Sequence, residues 1–331
     1  MSRILVSMIL VLFVLVSPTF GKSYLLYLEA QGVGGYDTEK DGPIYYSMDP
    51  VDVMQKPSVG FDYLQRFSGE TGDWGSFGLQ MRLVYNEAYK TTGEDEFQAQ
   101  VYNAFFKYKA GFADLWIGHS RIAFGLGSYL DSHGLLLQPL DMYGYSFDRD
   151  WGVGATRDFE WGNVSFSYST GTGFPLRFDG NYLFSARAAY GVLSRDNYNI
   201  GFSSSYGKPL ETIGYEVISP EPVETFLVGT DFTYLWNNIE NRFEAVAGEK
   251  GDDNTYAFLW RIGVNFLEED RLKLEFQPVY RYIGGDWNYQ LNAGVTYRLT
   301  SDLTLRGLYT YDGETSDNRV VFQIYWYYNL F

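Results

Sequence analysis

Cysteine is absent from the 331 residues, which removes disulfide frameworks, thiolate metal sites, cysteine nucleophiles and lipoprotein anchoring together. Histidine occurs twice, so a histidine-based metal site has little to draw on, and no metal, cofactor or catalytic site is expected. Basic residues are scarce as well: Lys+Arg is 25 against Asp+Glu 41, a net charge of −16. A chain this acidic does not bind a phosphate backbone, and nucleic acid is excluded as a partner. Beyond the N-terminus there is no long uninterrupted apolar run, so no spanning helix is expected. Phosphate loops and dinucleotide fingerprints are missing too. What is abundant is aromatic: 30 Tyr, 25 Phe and 8 Trp, which need apolar surroundings over a wide surface.

Residues 1–21 carry a basic Arg3, an apolar core from Ile4 to Val16, a breaker at Pro18 and small residues at Thr19 and Gly21. That is the pattern of a secretory signal peptide cut before Lys22, leaving 22–331 as the mature chain. The apolar core falls short of the roughly 20 residues a spanning helix needs. An exported chain without spanning helices is either soluble outside the inner membrane or a β-barrel.

The later half alternates with period two. Tyr256, Phe258, Trp260, Ile262, Val264 and Phe266 share one face, opposite Ala257, Arg261, Gly263 and Asn265. Leu272, Leu274, Phe276, Pro278, Tyr280 and Tyr282 repeat the arrangement opposite Lys273, Glu275, Gln277 and Arg281. Such runs are strands, long enough to be tilted membrane strands of about 9–11 residues. The expected strands lie near 24–34, 58–68, 74–87, 97–109, 114–124, 151–160, 164–172, 182–192, 198–207, 223–236, 239–248, 254–266, 271–283, 287–299, 303–312 and 319–330. Short turns alternate with longer connections at 35–57, 88–96, 125–150, 173–181, 208–222 and 249–253. A secreted β-sandwich or propeller also alternates with period two. Strand length, turn asymmetry and aromatic strand ends favour an all-β, up-and-down antiparallel barrel of sixteen transmembrane strands.

The terminal segment, Val320 to Phe331, ends in phenylalanine, with Val320, Phe322, Ile324, Trp326, Tyr328 and Leu330 on one face and Phe331 out of phase. With this ending and pattern the chain resembles Gram-negative outer-membrane barrels, and among them the sixteen-stranded porins. The resemblance covers nearly the whole mature chain at the level of architecture. It implies an outer-membrane location, recognition of the last strand by the barrel assembly machinery, contact with lipid and lipopolysaccharide, and a homotrimer. It further implies a constriction loop at 125–150 and passive diffusion of ions and small hydrophilic solutes.

If the aromatic face meets lipid, the other face lines the lumen, since one residue's step changes sides. The candidate pore-lining residues are then Arg66, Arg82, Arg187, Arg261, Arg281 and Arg306. Arg121 joins them if its strand is phased by Trp116, Ile122 and Phe124. Asp131, Asp141, Asp148 and Asp150 lie in 125–150, and by the resemblance they face the arginines across an eyelet whose field selects solutes. Arginine dominance would make the pore prefer anions, loop acids cations.

Two readings of other classes stay open. One is a closed barrel serving as a surface-binding or structural protein. The other is a rim protease: Asp131 with His133, and Asp148 with Asp150, resemble in type the residue pairs of the omptin proteases, although their chain order is reversed and both sit in one loop. His119 and Ser120 are neighbours on a strand and point to opposite faces, so they form no dyad. The acidic segments 37–41 and 249–253 suit a solvated surface or Ca²⁺. Tyr325 and Tyr327 suit a sugar-binding track, though barrel girdles already account for the aromatic excess.

Overall fold

A computed structural model describes residues 24–45, 55–70, 72–86, 96–283 and 285–331. The expected signal peptide and parts of the expected loops 35–57 and 88–96 lie outside the described residues. The chain is almost entirely β. Its strands are β1 (Tyr24–Asp37), β2 (Gly42–Ile44), β3 (Ser58–Gly69), β4 (Gly72–Tyr85), β5 (Phe97–Lys109), β6 (Asp114–Arg121) and β7 (Arg149–Phe159). Then follow β8 (Gly162–Ser169), β9 (Tyr182–Tyr190), β10 (Tyr198–Lys208), β11 (Glu211–Ile213), β12 (Glu216–Ser219) and β13 (Thr225–Trp236). The last six are β14 (Ile239–Lys250), β15 (Asp253–Phe266), β16 (Leu272–Ile283), β17 (Asp286–Arg298), β18 (Leu303–Asp312) and β19 (Asp317–Asn329).

Sixteen of these pair with their sequence neighbours, all antiparallel, and β1 closes the ring on β19 from Tyr27↔Asn329 to Asp37↔Arg319. Closure leaves no edge among the long strands. The short β2 continues the β1 ladder at Gly35–Asp37, beyond where β3 pairs it, and β11 with β12 forms a separate hairpin.

The aromatic face points outward. Phe202, Phe322, Ile324 and Trp287 are among the most exposed large apolar side chains, while Leu259 and Val279, one residue out of step with such positions, are fully buried. A surface of this kind is stable only against hydrocarbon. An arginine at Phe202, near the middle of β10, is therefore expected to cost about 2–4 kcal/mol in urea unfolding from lipid vesicles; an unchanged midpoint would contradict the lipid-facing assignment. Phe331, out of phase in sequence, closes the seam: its carbonyl accepts from Leu26 N at 3.3 Å and its ring meets Tyr24 edge-on at 6.3 Å.

Turns at the end that holds Tyr24 are short, and at the other end the long connections join β1 to β3, β4 to β5, β6 to β7, β8 to β9 and β10 to β13. The expected longer connection at 249–253 shrinks to Gly251 and Asp252, because β14 and β15 run on to meet them; Gly251, at φ 61°, makes the tight turn.

Candidate functional site: the loop inside the barrel

Inside the ring, polar and charged side chains are buried where a soluble protein would keep its core, and the segment between β6 and β7 folds among them. The loop's path begins at Gly125, whose φ of 53° is favourable to glycine and where a Cβ would run into the Glu244 carboxylate. That carboxylate, on β14, accepts from Leu126 N at 3.0 Å and Leu140 N at 3.3 Å. Apolar loop residues then grip two stretches of wall. Leu126, Leu130, Leu140 and Tyr145 pack with Leu183, Leu227, Val246, Leu259 and Val279, and Leu136 and Leu137 pack with Val33, Leu308 and Val321. Tyr143 donates to Gln290 Oε1 at 2.6 Å and Gln277 Nε2 to the Gln138 carbonyl at 3.0 Å. The loop thus crosses the lumen and is held on both sides.

The tip is latched by charge. His133 bonds Glu29 of β1 through Nε2, while Arg82 Nη2 of β4 lies 2.6 Å from its Nδ1. Arg82 Nε also meets Glu29 Oε1 at 2.5 Å, and Tyr325 OH donates to Glu29 Oε2 at 3.2 Å. With Arg82 donating to Nδ1, the imidazole is neutral and its remaining N–H goes to Glu29, a tautomer assigned from this network. Burial, then the Arg82 charge, push the His133 pKa down from 6.5 to about 4. An unlatched His133 takes up a proton near pH 6.5 and the latched one does not, so docking is strongest above 6.5 and weakens as pH falls toward 4. Proteolysis of the loop in folded barrels is expected to speed up across that window; a flat rate from pH 7 to pH 4 would contradict the latch.

The candidate residues divide into distinct settings. Arg121 pairs with Asp131 at 2.9 Å, and Arg149 reaches the same carboxylate at 3.5 Å while also bonding Asp148 and Asn103. Arg187 holds Asp231 through two bonds of 2.9 and 2.6 Å. Among the described residues Arg261 and Arg306 donate to amides, Gln277 at 2.6 Å and Gln323 at 3.0 Å, and Arg281 lies over the Tyr143 ring at 5.2 Å. Arg66 is exposed near the end of β3, away from this group.

Among the loop acids, Asp131 alone is open to lumen water. Burial raises its pKa, but Arg121 and Arg149 outweigh that and hold it below the usual carboxylate range. Asp141 is buried with both oxygens unpartnered, and burial followed by Asp148 and Glu244 pushes its pKa well above the usual carboxylate range. Asp148 accepts from Tyr102 OH at 3.1 Å. Asp150, the second residue of β7, anchors the next loop instead, accepting from the amides of Gly171 at 2.6 Å and Gly173 at 3.1 Å. Asp131→Asn is therefore expected to move the reversal potential toward anions, and Asp141→Asn, at a carboxyl buried away from the lumen, to leave it unchanged. Equal shifts from both variants would contradict this division.

Sequence reasoning passed over Glu29 and Arg149. Glu29 and Gln31 alternate with Leu28 and Ala30, a short polar signal in a segment rich in small residues. Arg149 fell in the expected loop because β7 starts two residues earlier than the alternation suggests. The expected phasing of Arg121 needs correcting in its premise: Trp116, Ile122 and Phe124 are all buried rather than lipid-facing. Gly118, at φ 120°, interrupts the alternation so that Trp116 and Arg121 both turn inward. His119 bonds the Tyr102 carbonyl region at 3.0 Å through Nδ1. At the barrel end opposite Tyr24, carboxylate oxygens of Asp37, Glu39 and Asp317 lie within 4.8 Å of one another. Arg319, 3.0 Å from Asp37, and the amide of Glu39, 2.7 Å from Asp317, already occupy them.

A closed sixteen-strand barrel whose lumen is crossed by the loop after its fifth long strand has porin architecture. No family model matches the sequence, and no curated protein matches it either. Solved structures do match in fold. In-vitro folded OmpT in its trimer form, an outer membrane protein of Vibrio cholerae, aligns with TM-score 0.64 at 10% identity over 92% of this chain and 99% of that one. Salmonella typhi OmpF in complex with daunomycin gives 0.61 at 12% identity, covering 92% and 97%. An anion-selective porin from Comamonas acidovorans gives 0.60 at 10% identity, covering 92% and 99%.

Proposed function

We infer that this chain is an outer-membrane porin in which the loop between β6 and β7 narrows a water-filled path for ions and small hydrophilic solutes. The observation that carries the reading is a loop seated inside a closed barrel beside a charged cavity of about 380 Å³. The apolar outer belt suits a bilayer, and the fold matches place the same architecture in outer-membrane proteins. Wall guanidinium groups facing neutral amides outnumber the open loop acid, which favours anions over cations. Assembly as a homotrimer, the folding route through the barrel assembly machinery and lipopolysaccharide contact belong to the same reading.

Swelling of vesicles loaded with the folded protein tests passage directly. Small neutral sugars are expected to enter and larger oligosaccharides to be excluded. The loop's grip on both walls favours a second reading, a barrel closed at rest, and absence of swelling with every sugar would support it. Catalysis is not part of the proposal. His133 is engaged by Glu29 and Arg82, and Asp131 by Arg121 and Arg149, so neither is free to activate water. Cleavage of peptides that is lost in His133→Ala would reverse that assignment.

A further inference from the structure

Resting on the channel reading, we propose that the cavity of about 380 Å³ beside the loop is a binding station for a small dianionic oxyanion, of the phosphate or dicarboxylate kind. Four cations bound it: Arg242, Arg261, Lys273 and Arg306. Their partners are unequal. Lys273 lies 3.0 Å from both Glu240 and Glu275, and Arg242 pairs with Glu240. Arg261 and Arg306 donate to the neutral side chains of Gln277 and Gln323 and share the field of Glu275, which lines the same cavity. Glu240 and Glu275 are thus shared among four cations, which leaves two positive charges in excess at the cavity wall.

The donors are unmatched as well. Nη2 of the buried Arg261, and Nε of both Arg242 and Arg306, have no hydrogen-bond partner. Buried charged donors are ordinarily satisfied, so three on one wall point to an acceptor that arrives from outside. A guanidinium fork suits the paired oxygens of a phosphate or carboxylate, and two forks suit a dianion. Thr296 adds a hydroxyl to the same wall, and Asp131 lines the cavity near the loop. A neutral sugar would bring no charge to offset the two arginines. Passage of an anion thus proceeds through a stop, with the acid of the loop opposing re-entry and the arginines holding the solute.

Calorimetric titration of the folded full-length barrel tests this, with inorganic phosphate and succinate as probes and sucrose as the neutral control. Saturable binding of either dianion and none of sucrose is expected, and the two arms tell which oxyanion the station prefers. Arg261→Gln combined with Arg306→Gln is expected to weaken binding by about tenfold or more. If that pair does not refold, Arg306→Gln alone, at the less buried position, is expected to weaken it by about threefold. No saturation with either dianion, or wild-type affinity in the variant that folds, overturns the proposal. Current through planar bilayers separates the two claims: binding without current removes the channel reading and keeps the station, whereas current without binding removes the station alone.

Discussion

Glu29→Ala is expected to unseat the loop tip and to destabilise the barrel by about 3–5 kcal/mol, the usual consequence of removing one member of a buried ion pair. Glu29 is 2% exposed and Arg82 equally so, which means the guanidinium left behind is cut off from bulk water. Three groups lose their acceptor at once: Arg82, His133 and Tyr325. Glu29→Gln keeps a carbonyl acceptor of the same length, so its loss should be smaller, and the difference between the variants measures the charge. Urea unfolding in lipid vesicles supplies the stability, and noise in the single-channel current reports the freed tip. Equal midpoints for Glu29→Ala and wild type would contradict the latch.

Excising the loop is expected to raise single-channel conductance several-fold. Arg121 and Arg149 face each other in the β6–β7 register, so a short glycine-serine turn replacing residues 124–146 can close the hairpin without altering the ring. The ring itself has the sixteen strands that leave an aqueous channel when nothing fills them. Excision also strips the apolar partners of Leu259, Val279 and Val321, and a lower thermal midpoint is expected alongside the wider pore. Conductance equal to wild type in a heat-modifiable variant would mean that the loop does not limit the path.

The outer half of this molecule was legible in sequence because lipid imposes one rule at every second residue. Tyr256 to Phe266 alternates without interruption, and β15 is found from Asp253 to Phe266; β5 occupies the expected 97–109. Where a glycine breaks the pleat, as at Gly118, the alternation misleads, and Trp116 shows how an aromatic is read as lipid-facing when it points inward. The lumen was legible only as a polar face. Its pairings join residues far apart in the chain, Glu29 with Arg82 and with His133, Glu244 with Leu126 and Leu140, and no local period encodes which wall a loop residue reaches. The opposite pKa directions of two loop acids were hidden for the same reason: Asp131 and Asp141 are alike in sequence, and only the arginines beside one and the burial of the other separate them.

Whether the proposed pore is narrowed by its loop and prefers anions is decided by current through planar bilayers containing the purified mature chain under a potassium chloride gradient. Stepwise openings and a reversal potential of the sign set by chloride are expected. Silence from a folded, heat-modifiable barrel, or a reversal potential set by potassium, would contradict the proposal.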